Sequence, residues 1–222
     1  MLINNIFKKT GSFKLRVKLR FFILILFFMI FLVFNLSLGS ISIPLLETLK
    51  FISFQDLDNQ VYFNVLYNIR LPRILLGIFC GAILSLCGMM FQALLRNPLA
   101  DPYILGISSG AAFGTVFSMA LFGNAILINS ILNNVPFMAF SFGLLTTFLT
   151  YIIAKRGTKI PIIDLILSGV IINLLFNSAT TFVIVFGWRN IQSATFWLMG
   201  SLSDSNWQKV FQTFVVLIIG LI

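Results

Sequence analysis

The sequence predicts an all-α, polytopic transmembrane helical bundle, and three observations predict it. Of 222 residues, 59% are hydrophobic and only 9% are charged, whereas a soluble domain carries about a quarter charged residues. The apolar residues fall in runs long enough to cross a bilayer. The charges that remain, with a formal net of +9, gather between those runs, so the solvent around most of the chain is expected to be lipid.

Residues 1–20 are a basic N-terminal stretch. Lys8, Lys9, Lys14, Arg16, Lys18 and Arg20 precede the first apolar run with no acid among them. Beside a membrane span, such a stretch fixes orientation and touches anionic lipid. That position argues against a nucleic-acid-binding arm. Residues 21–222 form the transmembrane domain, with six expected spans. These are Phe21–Leu38, Ile74–Leu95, Tyr103–Phe122, Pro136–Ala154, Leu165–Phe186 and a sixth that begins near Trp207 and runs to Ile222. The sixth holds 16 residues, about 24 Å of helix against a hydrocarbon core of about 30 Å. The expectation is a chain truncated within its sixth span: a fragment, the product of a frameshifted gene, or a subunit completed by another polypeptide. The first span has an alternative reading as a signal peptide cleaved near Gly39 and Ser40, but its apolar stretch exceeds the usual signal length.

Loop charges predict the orientation. With the N-terminus inside, ten Lys/Arg lie inside and five outside, giving a net of +8 inside and +1 outside. Trp188, Trp197 and Trp207 then fall at the outer ends of spans five and six, as an aromatic belt would. The segment 41–68 mixes apolar residues with Glu47, Lys50, Asp56 and Asp58 and is expected to carry a short surface helix on the outer face. The segment 190–206 looks similar, with Gly200 a helix stop.

Several chemistries are excluded. The chain has no histidine, which removes imidazole bases and His-ligated metals. Cys80 and Cys87 lie seven residues apart in one apolar run, about 10 Å along a helix and too far for a disulfide. Neither a metal nor a cofactor is expected, and no catalytic constellation supports a membrane enzyme. The spans are nearly free of ionisable groups, which argues against an ion-coupled secondary transporter.

Four constellations stand out. Gly77, Gly81 and Ser85 are spaced by four, as are Gly106, Gly110 and Gly114; each set makes a flat helix face for close packing. On the fifth span Asn173, Asn177, Thr180 and Thr181 share a face, with Ser168 near the inner end. They read either as interhelical hydrogen-bonding groups or as the wall of a pathway. Arg70-Leu-Pro-Arg73 puts two cations at the outer mouth of span two. They either snorkel to the interface or receive acidic residues of an extracytoplasmic partner. Gln92 to Gly106 reads as a tight inner-side turn, in which Pro98 and Pro102 end one helix and restart another. There Arg96 and Asp101 pair or hold the turn.

Taken together, these motifs resemble a known family. Arg-Leu-Pro-Arg, Gly81-Ala82, Gly88, Gln92, the run Arg96-Asn97-Pro98-Leu99-Ala100-Asp101-Pro102 and Leu105-Gly106-Ile107-Ser108-Ser109-Gly110-Ala111 are similar to FecCD-type permeases. Leu167-Ser168-Gly169-Val170 and the stretch Phe196 to Leu202 are similar as well. The resemblance covers about residues 40–222, in order and without large gaps. It implies the membrane-spanning permease of an ABC importer for an iron-siderophore, haem or cobalamin-like compound, in the bacterial cytoplasmic (inner) membrane. It also implies ABC ATPase subunits, a periplasmic or lipid-anchored substrate-binding protein, and a second permease subunit, identical or paired. The chain has no phosphate-binding loop of the Gly-x-x-x-x-Gly-Lys-Ser/Thr form, so ATP hydrolysis is expected in a separate subunit. By resemblance, Arg70 and Arg73 would dock the binding protein. Asn173, Asn177 and Thr181 would line the translocation path. Gln92, Arg96, Asn97, Pro98, Asp101, Pro102, Gly106, Ser109 and Gly110 carry the family motif and helix packing. Family permeases have about ten spans and continue past the point matching Ile222, through an ATPase-docking loop. A nonfunctional remnant of such a permease is therefore the alternative.

Overall fold

The computed structural model describes residues 2–57, 59–122, 135–186 and 191–222. Asp58, Trp188 and Arg189 lie outside the described residues, as do the side chains of Lys8, Lys9, Lys14 and Arg16. The described residues are helical, with one isolated β-bridge, and divide into two compact units. The first comprises residues up to Gly81 together with Leu202–Ile222; the second is Ala82–Ser201.

Four stretches are long and apolar enough to cross a membrane: Val17–Ser37, Gln60–Leu95, Val135–Ala154 and Ile162–Phe186. Ile107–Ala120 and Trp207–Leu221 are shorter apolar helices. All six expected spans thus have a helical counterpart, but the third differs in form. It was expected to run unbroken from Tyr103, and instead a 3₁₀ turn, Pro102–Leu105, precedes an α-helix that starts at Ile107.

In the first unit, α1 (Leu2–Ser37) leads through a short loop to α2 (Leu45–Ile52). The loop is closed by reciprocal bonds. Ser37 Oγ donates to Ile43 O at 2.8 Å, and the Ile43 amide donates to Ser37 O at 3.2 Å. Leu36, Ile43 and Leu66 form a buried cluster, with Leu32, Phe51, Tyr62 and Ile74 packed against it. The segment expected to hold one surface helix holds α2, and its last part, α3 (Gln60–Asn64), opens the continuous helical stretch Gln60–Leu95, which therefore starts well before the expected Ile74. A π-helical turn, Val65–Arg70, joins α3 to α4 (Leu71–Leu95). Pro72 gives a physical reason for the π turn. It has no amide to donate, and its ring crowds the carbonyl four residues back. The helix widens by one residue there, and the Leu71 amide reaches Leu66 O. The helix α9 (Trp207–Leu221) is capped by Asn206, whose Oδ1 accepts from the Lys209 amide at 2.8 Å. Trp207 packs on Tyr67 and Phe214 on Phe79, with ring centroids 5.0 and 5.5 Å apart.

In the second unit, α5 (Ile107–Phe122), α6 (Val135–Ala154) and α7 (Ile162–Phe186) pack on one another. Of the two small-residue sets, the one at Gly110 and Gly114 meets another helix. A Cβ at Gly110 would collide with the Thr146 side chain, and one at Gly114 would lie 2.6 Å from Met138 O. Gly81 has open space in the Cβ direction. Phe113 joins all three helices through ring contacts to Phe142 and Phe176, at 5.3 and 5.4 Å. Between α6 and α7 the chain turns through Gly157, and Arg156 grips Asp164 at 2.6 Å. The helix α8 (Ile191–Met199) ends where Gly200 takes φ +74°, the left-handed stop expected of it.

Candidate functional site

In the first unit, the two arginines of the Arg70–Arg73 segment face different surroundings. Arg70 is buried, with 8% of its surface exposed. Its guanidinium donates to Ser37 O at 2.9 Å and also to Leu36 O and Ile41 O. These acceptors lie at the carbonyl end of α1 and in the loop after it, where a cation also meets the negative pole of the helix dipole. Expected at an outer surface, Arg70 is instead folded into its own unit. Arg73 is exposed. It donates to Leu202 O at 3.2 Å and Ser203 O at 3.3 Å. Among the described residues no carboxylate pairs with either guanidinium. A cavity of about 670 Å³ opens beside them, lined by apolar groups such as Phe28, Phe31, Ile69 and Ile74, with Asn35, Ser40, Arg70 and Arg73 as polar members.

In the second unit, the turn Gln92–Gly106 is fixed residue by residue. Its first half stops α4. Arg96 takes φ +49°, its amide reaches Ala93 O at 3.4 Å, and the Asn97 amide reaches Gln92 O at 3.2 Å. This is the paired bonding of a Schellman stop, with arginine where glycine is usual. Asn97 Oδ1 then accepts from the Leu99 amide at 2.9 Å, with Pro98 between. Asp101 Oδ1 accepts from the Tyr103 amide at 2.8 Å and caps the 3₁₀ turn, in which Pro102 is the first residue. Of the two readings of Arg96 and Asp101, each residue holds the turn, Arg96 through its left-handed backbone and Asp101 through its capping carboxylate, and among the described residues no ion pair joins them.

The second half of the turn presents three consecutive carbonyls outside any α-helix, of which Tyr103 O also accepts the Gly106 amide at 3.3 Å, and two neighbouring helices donate to them. Asn173 Nδ2 on α7 donates to Tyr103 O at 2.9 Å and lies 3.5 Å from Ile104 O. Thr150 Oγ1 on α6 donates to Leu105 O at 3.0 Å. Gly169 lies directly against Ile104 O, so that a Cβ there would overlap it. Gly106 closes the turn at φ +83°, a conformation that favours glycine. Ser109 Oγ returns to Gly106 O at 3.0 Å.

The polar stripe of α7 is therefore divided. Ser168 and Thr180 are buried, and Thr180 bonds back to Phe176 O. Asn173 serves the turn. Asn177 and Thr181 are exposed, and Thr181 Oγ1 bonds to Asn177 O at 3.0 Å. Thr150 and Gly169 were not singled out by spacing. Their signal in the sequence was small residues at helical spacing, Gly143, Thr146, Thr150 and Ala154 on α6 and Ser168-Gly169 on α7, which names a contact only once its partner is known.

The model of the FecCD transport family matches residues 25–222. The cobalamin import system permease protein BtuC of Halobacterium salinarum is 40% identical over 152 residues, covering 68% of this chain and 40% of that protein. The Fe(3+)-citrate import system permease protein YfmD of Bacillus subtilis is 34% identical over 194 residues, covering 87% of this chain and 55% of that protein. A solved structure, described as an inward-facing conformation of a metal-chelate type ABC transporter, aligns with TM-score 0.69 at 31% identity. It covers 89% of this chain and 58% of the other. The chain spans about half the length of the curated relatives it matches.

Proposed function

The chain belongs to the FecCD transport family, and we propose that it forms part of the membrane-spanning permease of an ATP-driven importer. The observation that carries this reading is the alignment of an all-helical, multi-span chain with an ABC transporter structure over 89% of its length. The proposed cargo is an iron-siderophore, haem or cobalamin-like compound, in keeping with the cobalamin and ferric citrate named for its relatives. Those two cargoes differ chemically, so the class is proposed and not one compound.

The proposed partners are ABC ATPase subunits, a substrate-binding protein and a second permease subunit. ATP is hydrolysed by the ATPase, not by this chain. The proposed setting is the bacterial cytoplasmic membrane, with residues 1–20 as the cytoplasmic N-terminus and 21–222 as the transmembrane permease domain. On that orientation the Arg70–Arg73 end faces outward. Arg73, exposed and without a carboxylate partner among the described residues, supplies charge for an acidic surface of the binding protein. Asn177 and Thr181 are proposed for the translocation path, because both remain exposed on α7 and Thr181 Oγ1 turns back to Asn177 O of the same helix.

The test is reconstitution. The permease of which this chain forms part is co-expressed with an ABC ATPase and a substrate-binding protein of the same importer class and placed in proteoliposomes. Uptake of a ferric chelate or cobalamin that requires ATP inside is the expected outcome. Failure of that permease, while folded, to retain any ATPase in detergent would overturn the proposal.

A further inference from the structure

We infer that Arg70 is a positioning residue that locks the segment after α1, leaving Arg73 as the member of the pair that presents charge. Three observations converge. The guanidinium of Arg70 is buried and spends its donors on Leu36 O, Ser37 O and Ile41 O. A planar fork can collect several carbonyls in this way, and a lysine ammonium on a flexible stem cannot hold the same set. The locked loop is already closed on itself by the reciprocal Ser37 and Ile43 bonds. Finally, the backbone that delivers Arg70 is itself fixed, by the π turn behind it and the fully buried Pro72 ahead of it.

Gly39 supplies an independent check on whether the guanidinium is pinned. A Cβ there would sit 2.7 Å from Arg70 Nη2 and 3.1 Å from Cζ. If Arg70 were free it would swing aside, and alanine at 39 would be silent. If it is held by three carbonyls, alanine must break the lock. The division of labour between the arginines rests on the docking reading above, while the lock itself does not.

The experiment uses the whole chain in membranes, with Cys80→Ala and Cys87→Ala to remove the native thiols. Ile43→Cys, at a buried position inside the locked loop, reports by its rate of modification with a charged maleimide. Val210→Cys, also buried in the first unit, is the control for general loosening. Arg70→Lys is expected to raise the rate at position 43 about tenfold, the scale of one lost charge-assisted hydrogen bond. It should leave position 210 unchanged. Gly39→Ala is expected to act in the same direction, and Arg73→Gln to leave both reporters unchanged. No rise with Arg70→Lys, an equal rise at both reporters, or a silent Gly39→Ala would overturn the lock. A rise at 43 with Arg73→Gln would overturn the division of labour. A chain that fails to hold a binding protein would sink the docking reading and leave the labelling result standing.

Discussion

At Val65–Arg70 the backbone opens into a π turn, and at Pro102–Leu105 it tightens into a 3₁₀ turn. A proline accompanies each, Pro72 just after the first and Pro102 at the head of the second; the π turn delivers a donor to carbonyls at the end of α1, whereas the 3₁₀ turn carries carbonyls that take donors from two other helices. The answers differ in charge. In the first unit one guanidinium, Arg70, gathers Leu36 O, Ser37 O and Ile41 O. In the second unit neutral groups, the Asn173 amide and the Thr150 hydroxyl, take Tyr103 O and Leu105 O. A cation can serve many acceptors but is costly to bury away from water. Amides and hydroxyls serve fewer acceptors and cost less to enclose, which suits a helix packet in lipid. The difference teaches that one family motif set contains two anchoring chemistries. They should respond differently to substitution.

The largest effect is expected where the second anchor has no slack. Gly169→Ala pushes a Cβ into Ile104 O and should destabilise the chain by about 1–3 kcal/mol, the usual cost of overpacking a close contact. The loss of folded protein in a detergent denaturation series reads this directly. Next, Thr150→Val keeps the shape and removes the donor to Leu105 O. It is expected to cost about 1 kcal/mol by the same measurement. Asn173→Leu should cost a similar or slightly smaller amount, about 0.6–1 kcal/mol, since its acceptors retain partial access. If the Asn173 variant lowered transport far beyond its loss of folded protein, a path role would be added to its anchoring role. Asn177→Ala sharpens that distinction, because its stability should change by less than about 0.5 kcal/mol while transport falls if it lines the path. The smallest effect is expected at Arg156→Gln. The Arg156–Asp164 pair is short, but the arginine is exposed, and such pairs contribute about 0–1 kcal/mol. Titration with salt should reduce even that.

Much of the fold was legible from hydropathy alone. The ends of α6 and α9 fall within one residue of expectation, because polar loops and the Asn206 cap mark them. The stop at Gly200 was legible for a similar reason, since glycine supplies the left-handed conformation a helix end needs. The break at Gly106 was not, because the run from Tyr103 is as apolar as a continuous span. Its interruption is set by the Asp101 cap and by donors 45 and 70 residues away in sequence, Thr150 and Asn173. The burial of Arg70 was hidden for the same kind of reason. A cation beside a span usually snorkels outward, and only the loop folded back from α1 turns this one inward. Arg96 in a left-handed stop carries no sequence signal, because arginine there is rare. The motif residues Asn97 and Asp101 were recognisable as a turn. Their separate tasks, each accepting an amide two residues ahead, became visible only with the backbone.

The turn at Pro102–Gly106 has the composition of a hinge, with a proline and a left-handed glycine, yet it is built as a weld. Ile104 O rests on the bare backbone of Gly169, Asn173 grips the same turn a helical turn later, and Thr150 fastens it from the opposite helix. Bending there would break bonds to two helices at once. Mechanically, α5, α6, α7 and the turn should therefore travel as one plate, with any pivot of a working cycle lying elsewhere along the chain.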